Sequence, residues 1–163
     1  MKNTTAREKA FLKAAIIRNV YPTIENQSEL VLGELRSLEG YNNFTTAIKV
    51  ADSVHGVIFF NEKEIRYDRF NLADYKPSVH DKELTVPVSK VNTPLELINY
   101  MNEQYLNTYN VKERTPLLFR GFQIVIDLED VEPFTIPVLG NTLTIVAKSN
   151  SYIFEGSLLI KFV

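Results

Sequence analysis

The sequence predicts an α+β fold: a mostly antiparallel, sandwich-like β-sheet core, one helix packed on it and a helical N-terminal extension. Three observations predict it. Apolar side chains recur at helical spacing in the first twenty residues and again from Pro94 to Leu106. From Phe44 onward, outside that second helix, short runs alternate apolar and polar residues, the signature of half-buried strands. Glycine, proline, asparagine and aspartate punctuate those runs. A chain of 163 residues favours one domain with a small appendage. Folding hides roughly two thirds of the surface of a chain this long, so no metal or disulfide staple is required. The expected division is a helical extension over residues 1–40 and a β-rich α+β domain over 41–163.

The first helix has Thr5 as a cap and Glu8 three residues on as a capping box. Ala6, Ala10, Ala14 and Ala15 favour the helix, and Phe11, Leu12, Ala15, Ile16 and Arg18 share a thin stripe. Tyr21-Pro22 ends it, because a residue before proline is pushed out of the α region. Val31, Leu35 and Leu38 recur at helical spacing after Ser28, which predicts a second helix over Ser28–Leu38, weakened by Gly33. Thr46, Ile48 and Val50 then alternate with Thr45, Ala47 and Lys49. With Val57–Phe60 and the Ile65, Tyr67 alternation they predict an antiparallel meander, turning at Asp52–Gly56 and again at Asn61–Lys63.

Asp74–Lys82 reads as loop. Leu84–Val91 reads as an edge strand, because Pro87 lacks the N–H an interior ladder uses. Thr93-Pro94-Leu95-Glu96 is the strongest local signal: an N-cap, a proline at the first helical position and a capping-box glutamate. Leu97, Ile98, Met101 and Tyr105 make the buried stripe of that helix. Leu117–Leu128 and Phe134–Leu139 read as strands, the second confined to an edge by Pro137. Thr142–Ala147 and Tyr152–Val163 complete the β pattern. Val50-Ala51-Asp52-Ser53 and Val146-Ala147-Lys148-Ser149 echo one another, as two duplicated hairpins or two ordinary strand–turn–strand units do.

Composition narrows the function classes. The formal net charge of -2 argues against nucleic-acid binding, which needs a cationic footprint. With no cysteine, thiolate nucleophiles, disulfides, zinc–cysteine sites and iron–sulfur clusters are excluded together. Apolar runs such as Leu158-Leu159-Ile160 are far shorter than the roughly 18 residues of a membrane helix. The segment from Met1 to Asn19 has no apolar core of a signal peptide. Asparagine and lysine are frequent, which we attribute to an AT-rich genome more than to a physical need.

Candidate chemistry is sparse. His55 and His80 stand 25 positions apart, each without a defined partner, and read as a turn and a loop histidine. Asp127, Glu129, Asp130 and Glu132 could offer carboxylate oxygens to a hard cation, but they lack a calcium loop's glycine and alternation, and a solvated acidic turn is favoured. Arg66, Asp68 and Arg69 flank Tyr67, a spacing suited to an arginine–aspartate pair at a strand end. No Gly-x-Ser-x-Gly, phosphate-cradling glycine loop or His-Glu-x-x-His is present. The expectation is therefore no enzyme, no catalytic residue, no metal and no cofactor.

Two stretches carry a resemblance. Tyr67-Asp68-Arg69-Phe70-Asn71-Leu72 resembles a Tyr-Asn/Asp-Arg-apolar-Asp/Asn-Leu signature. Ala147-Lys148-Ser149-Asn150-Ser151, followed by Phe154, Gly156 and Ser157, resembles a closing Ala-Lys-x-x-Ser-x-x-aromatic-x-Gly-Ser strand pair. Together, over about residues 44–163, they are similar to a domain of virion structural proteins of very large (jumbo) contractile-tailed bacteriophages. A tight Gly-rich turn near Asp52–His55 is missing from this sequence. The resemblance implies a virion component, assembled in the host cytoplasm, that works in the tail or baseplate through protein–protein contacts. It transfers no catalytic residue. The alternatives are a capsid-associated structural protein or a soluble ligand-binding module with Tyr100, Tyr105 and Phe119 in its pocket. Expected partners are other virion structural proteins or copies of the chain itself, with no nucleic acid and no membrane. The expected partner-binding residues are Phe11, Leu12 and Ile16 on the first helix, with residues 1–20 touching another chain, and Leu158, Ile160 and Phe162 on the last strand.

Overall fold

The fold is α+β, as the periodicities predict, with strands paired mostly antiparallel. The structure, a computed structural model, describes residues 4–22, 30–38, 44–54, 57–58, 63–77, 80–107, 115–122 and 125–163. It divides into two compact units: Met1–Arg69 with Pro116–Phe122, and Phe70–Thr115 with Gln123–Val163.

In the first unit, helix α1 (Thr4–Asn19) buries Glu8, Leu12, Ala15 and Ile16 on one face. The Thr5 side chain lies outside the described residues. Phe11 packs on Phe119, 6.0 Å between centroids, and meets Phe122 edge-on at 5.4 Å. The end of α1 is held by its own polar side chains. Asn19 Nδ2 donates to the carbonyls of Leu118 (2.6 Å) and Arg120 (3.2 Å). Arg18 donates to the Gly121 carbonyl at 3.3 Å and lies over the Phe122 ring.

The sheet of this unit is built on β2 (Thr46–Val54), with β1 (Leu30–Ser37) antiparallel to it. The expected helix over Ser28–Leu38 is thus a strand where the structure describes it. The reason is a bulge: Leu32 pairs with Val50 and Leu35 with Ile48, so Gly33 and Glu34 both lie opposite Lys49. The extra residue puts Leu32 and Leu35, three apart in sequence, on the same face of the sheet, a spacing that reads as helical. Gly33 fits because a Cβ there would lie 3.2 Å from the Lys49 carbonyl oxygen. β1 also crosses the boundary expected at residue 40, joining residues 30–37 to the sheet. Thr46, Ile48 and Val50 are buried as predicted. β3 (Val57–Ile58) and β4 (Lys63–Tyr67) both pair antiparallel with β2, so the three strands are not a meander, in which β4 would pair with β3. β2 runs through Asp52 and Ser53, whereas Lys148–Asn150 leave the ladder, so the two echoing stretches differ in conformation.

In the second unit, α2 (Pro94–Asn107) matches its sequence signal. The Thr93 hydroxyl accepts the Glu96 N–H at 3.2 Å, and the Glu96 carboxylate reaches back to the Asn92 N–H at 2.7 Å. Leu97, Ile98, Met101 and Tyr105 are buried. The sheet has the order β6 (Leu84–Val86), β9 (Ser157–Phe162), β7 (Thr142–Val146). β6 is an edge strand as expected, but it stops before Pro87, and a 3-10 turn at Val88–Lys90 takes the place of the strand expected to run on to Val91. β6 runs parallel to β9, a pairing that no local pattern encodes. A second parallel pair joins β5 (Phe70–Asn71) to β8 (Phe154–Glu155).

The strand expected at Leu117–Leu128 is absent from the described part of that segment, which holds single 3-10 turns at Leu117–Phe119 and Leu128–Asp130. Side chains satisfy backbone groups there in place of a ladder. Asn19 holds the first turn, and Asn102 of α2 clamps Ile126, accepting its N–H and donating to its carbonyl, both at 2.8 Å. Gly121 bends the chain at φ 86°. Nor is Phe134–Leu139 a strand: Pro133 and Pro137 cannot donate, and pairing with β7 stops at a bridge from Val131 to Ala147.

The two stretches that carry the resemblance meet here. The Phe70 N–H donates to the Ile153 carbonyl at 2.8 Å, and the Phe70 and Phe154 rings lie 6.2 Å apart. The buried Ser151 hydroxyl accepts the N–H of Phe154 at 3.0 Å. Asn71 accepts the Ala73 N–H and occupies the space a Cβ on Gly156 would need. Gly156 also sits at φ 78°, where L side chains are strained. Gly156→Ala is therefore expected to lower unfolding free energy by about 2–4 kcal/mol. Gly140→Ala, at φ 87° but with open space around it, should cost only about 1 kcal/mol. Urea titrations giving equal losses would refute the close-contact argument.

Candidate functional site

β9 alternates strictly. Leu158, Ile160 and Phe162 are buried, while Ser157, Leu159 and Lys161 face out. The three last-strand residues expected to touch a partner are thus core. So are Leu12 and Ile16 of α1, and Phe11 is half-buried against Phe119 and Phe122. The helical stripe and the last-strand alternation are apolar because the chain packs them on itself. Each such side chain contributes about 1.5–3 kcal/mol by leaving water.

Half of the exposed large aliphatics among the described residues lie on the opposite face of the β6–β9–β7 sheet and its turn, and the others, Val20, Leu95, Leu117, Val125 and Leu128, are scattered over other elements. Leu159, Val146 and Val163 are partly exposed, and Val138 and Leu139 stand out at the turn before β7. The Gly140 N–H donates to the Phe162 carbonyl at 3.1 Å, which brings that turn beside Val163. Leu159 and Val163 make both faces of β9 partly apolar, so periodicity alone does not say which face is buried. The signal for the turn was there: two adjacent aliphatics directly before Gly140-Asn141.

The other candidates resolve into structural roles. Asp130 is buried, and its carboxylate accepts the Asp127 N–H at 2.7 Å. The Glu132 N–H donates to the Val146 carbonyl. Two of the acidic residues thus help hold this corner together, and among the described residues no group of three or more histidines and carboxylates could hold a metal. His80 is exposed, and His55 lies outside the described residues. Arg66 pairs with Glu64 (2.9 Å), as does Arg36 (2.8 Å), while Asp68 accepts the Thr45 N–H. The arginine at 66 thus pairs with a carboxylate two residues before it on the same strand, β4. Tyr105 belongs to the second unit and Phe119 to the first. Tyr100 lines an open cleft of about 400 Å³ beside β6, with Pro77, Asp81, Lys82, Glu83 and Thr85 around it. Its mixed charges select no ligand class.

Tyr75 stacks on Tyr105 with centroids 4.2 Å apart and an interplanar angle of 16°. Burial pushes its phenol well above the ordinary value, and Tyr105, Asp130 and Asp74 push the same way. Its hydroxyl has no hydrogen-bond partner among the described residues.

Residues 24–163 match a family of unknown function, DUF7941. Neither the curated proteins nor the solved structures gave a significant match.

The two shifted groups set a pH profile. The Arg66 hydrogen bond, then Arg36, holds the Glu64 carboxyl below its ordinary value. A depressed carboxyl stabilises the fold above its unfolded pKa of about 4.3, and that contribution is lost as pH falls through the folded value. The raised Tyr75 phenol stabilises the fold below its unfolded pKa of about 10, and the contribution is lost as pH rises further. Urea midpoints should decline at both extremes. Glu64→Gln should flatten the acid limb slightly, since the pair is exposed. Tyr75→Phe should flatten the alkaline limb and leave stability at pH 7 equal or higher, because it removes a buried, unpaired hydroxyl. An alkaline limb unchanged by Tyr75→Phe would rule out Tyr75 as its source.

Proposed function

The chain belongs to that family of unknown function, and we propose that it is a non-enzymatic structural protein of a tailed-bacteriophage virion, acting in tail or baseplate assembly through protein–protein contacts. One observation carries the reading. The residues of the two stretches that resemble phage virion structural proteins are spent on the fold. Asn71 occupies the space beside Gly156, the Ser151 hydroxyl caps backbone N–H groups, and Phe70 packs on Phe154. A signature whose side chains end on backbone and on one another maintains shape, which is what an assembly subunit needs from its sequence. An enzyme's signature would instead bring reactive groups into a cleft.

The exposed aliphatics on and beside β7 and β9 supply the adhesive surface such a role requires. Quantitative mass spectrometry of particles purified from the source of the sequence tests the proposal. Stoichiometric presence in tails or baseplates is the expected result, and absence from purified particles overturns it.

A further inference from the structure

We infer that the outward face of the β6–β9–β7 sheet, with the Val138–Leu139 turn, is where a second copy of this chain docks in a symmetric dimer. Val138 is 72% exposed, Leu139 66%, Val163 52%, Val146 41% and Leu159 37%. These five side chains offer on the order of 400 Å² of apolar surface, the scale at which a patch on a single chain is functional. A standard interface buries about 800 Å² per partner, a little over half of it apolar. The patch therefore supplies the apolar share of one complete side of a stable interface.

The edges of the sheet point to face-on docking. Pro87 follows β6 and removes a donor from that edge. On the other side, the chain leaves β7 at the Val131–Ala147 bridge and returns at Val138 with prolines at 133 and 137. An added strand finds both edges blunted.

Charge selects a second copy as the occupant. Lys161 lies in the middle of the face, in register with Thr85 of β6 and Thr142 of β7. Glu83, in the bend just before β6, lines the same cleft as Thr85, the residue in register with Lys161. A two-fold axis lying in the plane of the interface, perpendicular to the line joining Lys161 and Glu83 and through its midpoint, sets each lysine over the other copy's glutamate, so the surface complements itself. The lysine's aliphatic stem continues the apolar stripe between Leu159 and Val163.

Analytical ultracentrifugation of the full chain tests this. The wild type should show a concentration-dependent monomer–dimer equilibrium. Leu139→Asp should abolish it. Lys161→Glu and Glu83→Lys should each weaken it by at least about tenfold, through like charges facing across the axis. The double reversal should return it to within about threefold of wild type. All three substituted side chains are at least partly solvent-accessible, and circular dichroism would confirm that the fold is retained. A wild type that stays monomeric, a dimer indifferent to Leu139→Asp, or a double reversal that fails to restore association overturns the inference. The inference is independent of the virion assignment: a dimer absent from particles keeps this one and removes the other, and a monomer present in particles does the reverse.

Discussion

The strict alternation of β9 is the constraint on which the second unit depends. Leu158, Ile160 and Phe162 enter the core in register with Ile145 and Leu143 of β7 on one side and with Leu84 and Val86 of β6 on the other. Because a strand's side-chain period is two, a slip of one residue would bury Lys161 and expose Phe162. Burial of one face fixes the register, and the register dictates what the other face presents. The exposed aliphatics of this face are thus a by-product of core packing: they lie wherever the second set of apolar residues on β9 falls.

A second theme is the use of polar side chains to complete irregular backbone. Asn19 holds the carbonyls of the 118–120 turn, Asn102 clamps both polar groups of Ile126, Asn71 caps the Leu72–Asp74 turn and Ser151 caps Ile153 and Phe154. Each spares backbone groups the cost of lying unpaired. A high asparagine content looks like base composition in a sequence, yet three of these residues take the place of a ladder or a cap. Aspartate could not replace Asn102, because the amide both donates and accepts.

The same economy bears on function. Asp130 is drawn into the fold, Arg66 pairs with Glu64, and the motif residues Phe70, Asn71, Ser151 and Gly156 all serve one joint. What the described surface of this unit offers a neighbour is shape, exposed aliphatics and a pair of opposite charges. Those properties suit association, in which a few well-placed apolar side chains and complementary charges set affinity and register.

The sequence by itself determined the elements whose information is local. α1 and α2 follow from stripes and, for α2, a capping box; β2, β4, β7 and β9 follow from alternation; the β6 edge follows from Pro87. Tertiary structure decided three things that local pattern cannot carry. β1 is a strand because the bulge opposite Lys49 gives it helical spacing without helical contacts. Residues 117–119 and 128–130 form turns because Asn19 and Asn102, distant in sequence, take up neighbouring backbone groups. Leu158, Ile160 and Phe162 are core because, on a strand apolar on both sides, only packing against its neighbours selects which side leaves water. Periodicity records that a face is apolar, and the identity of what covers it is a property of the folded chain.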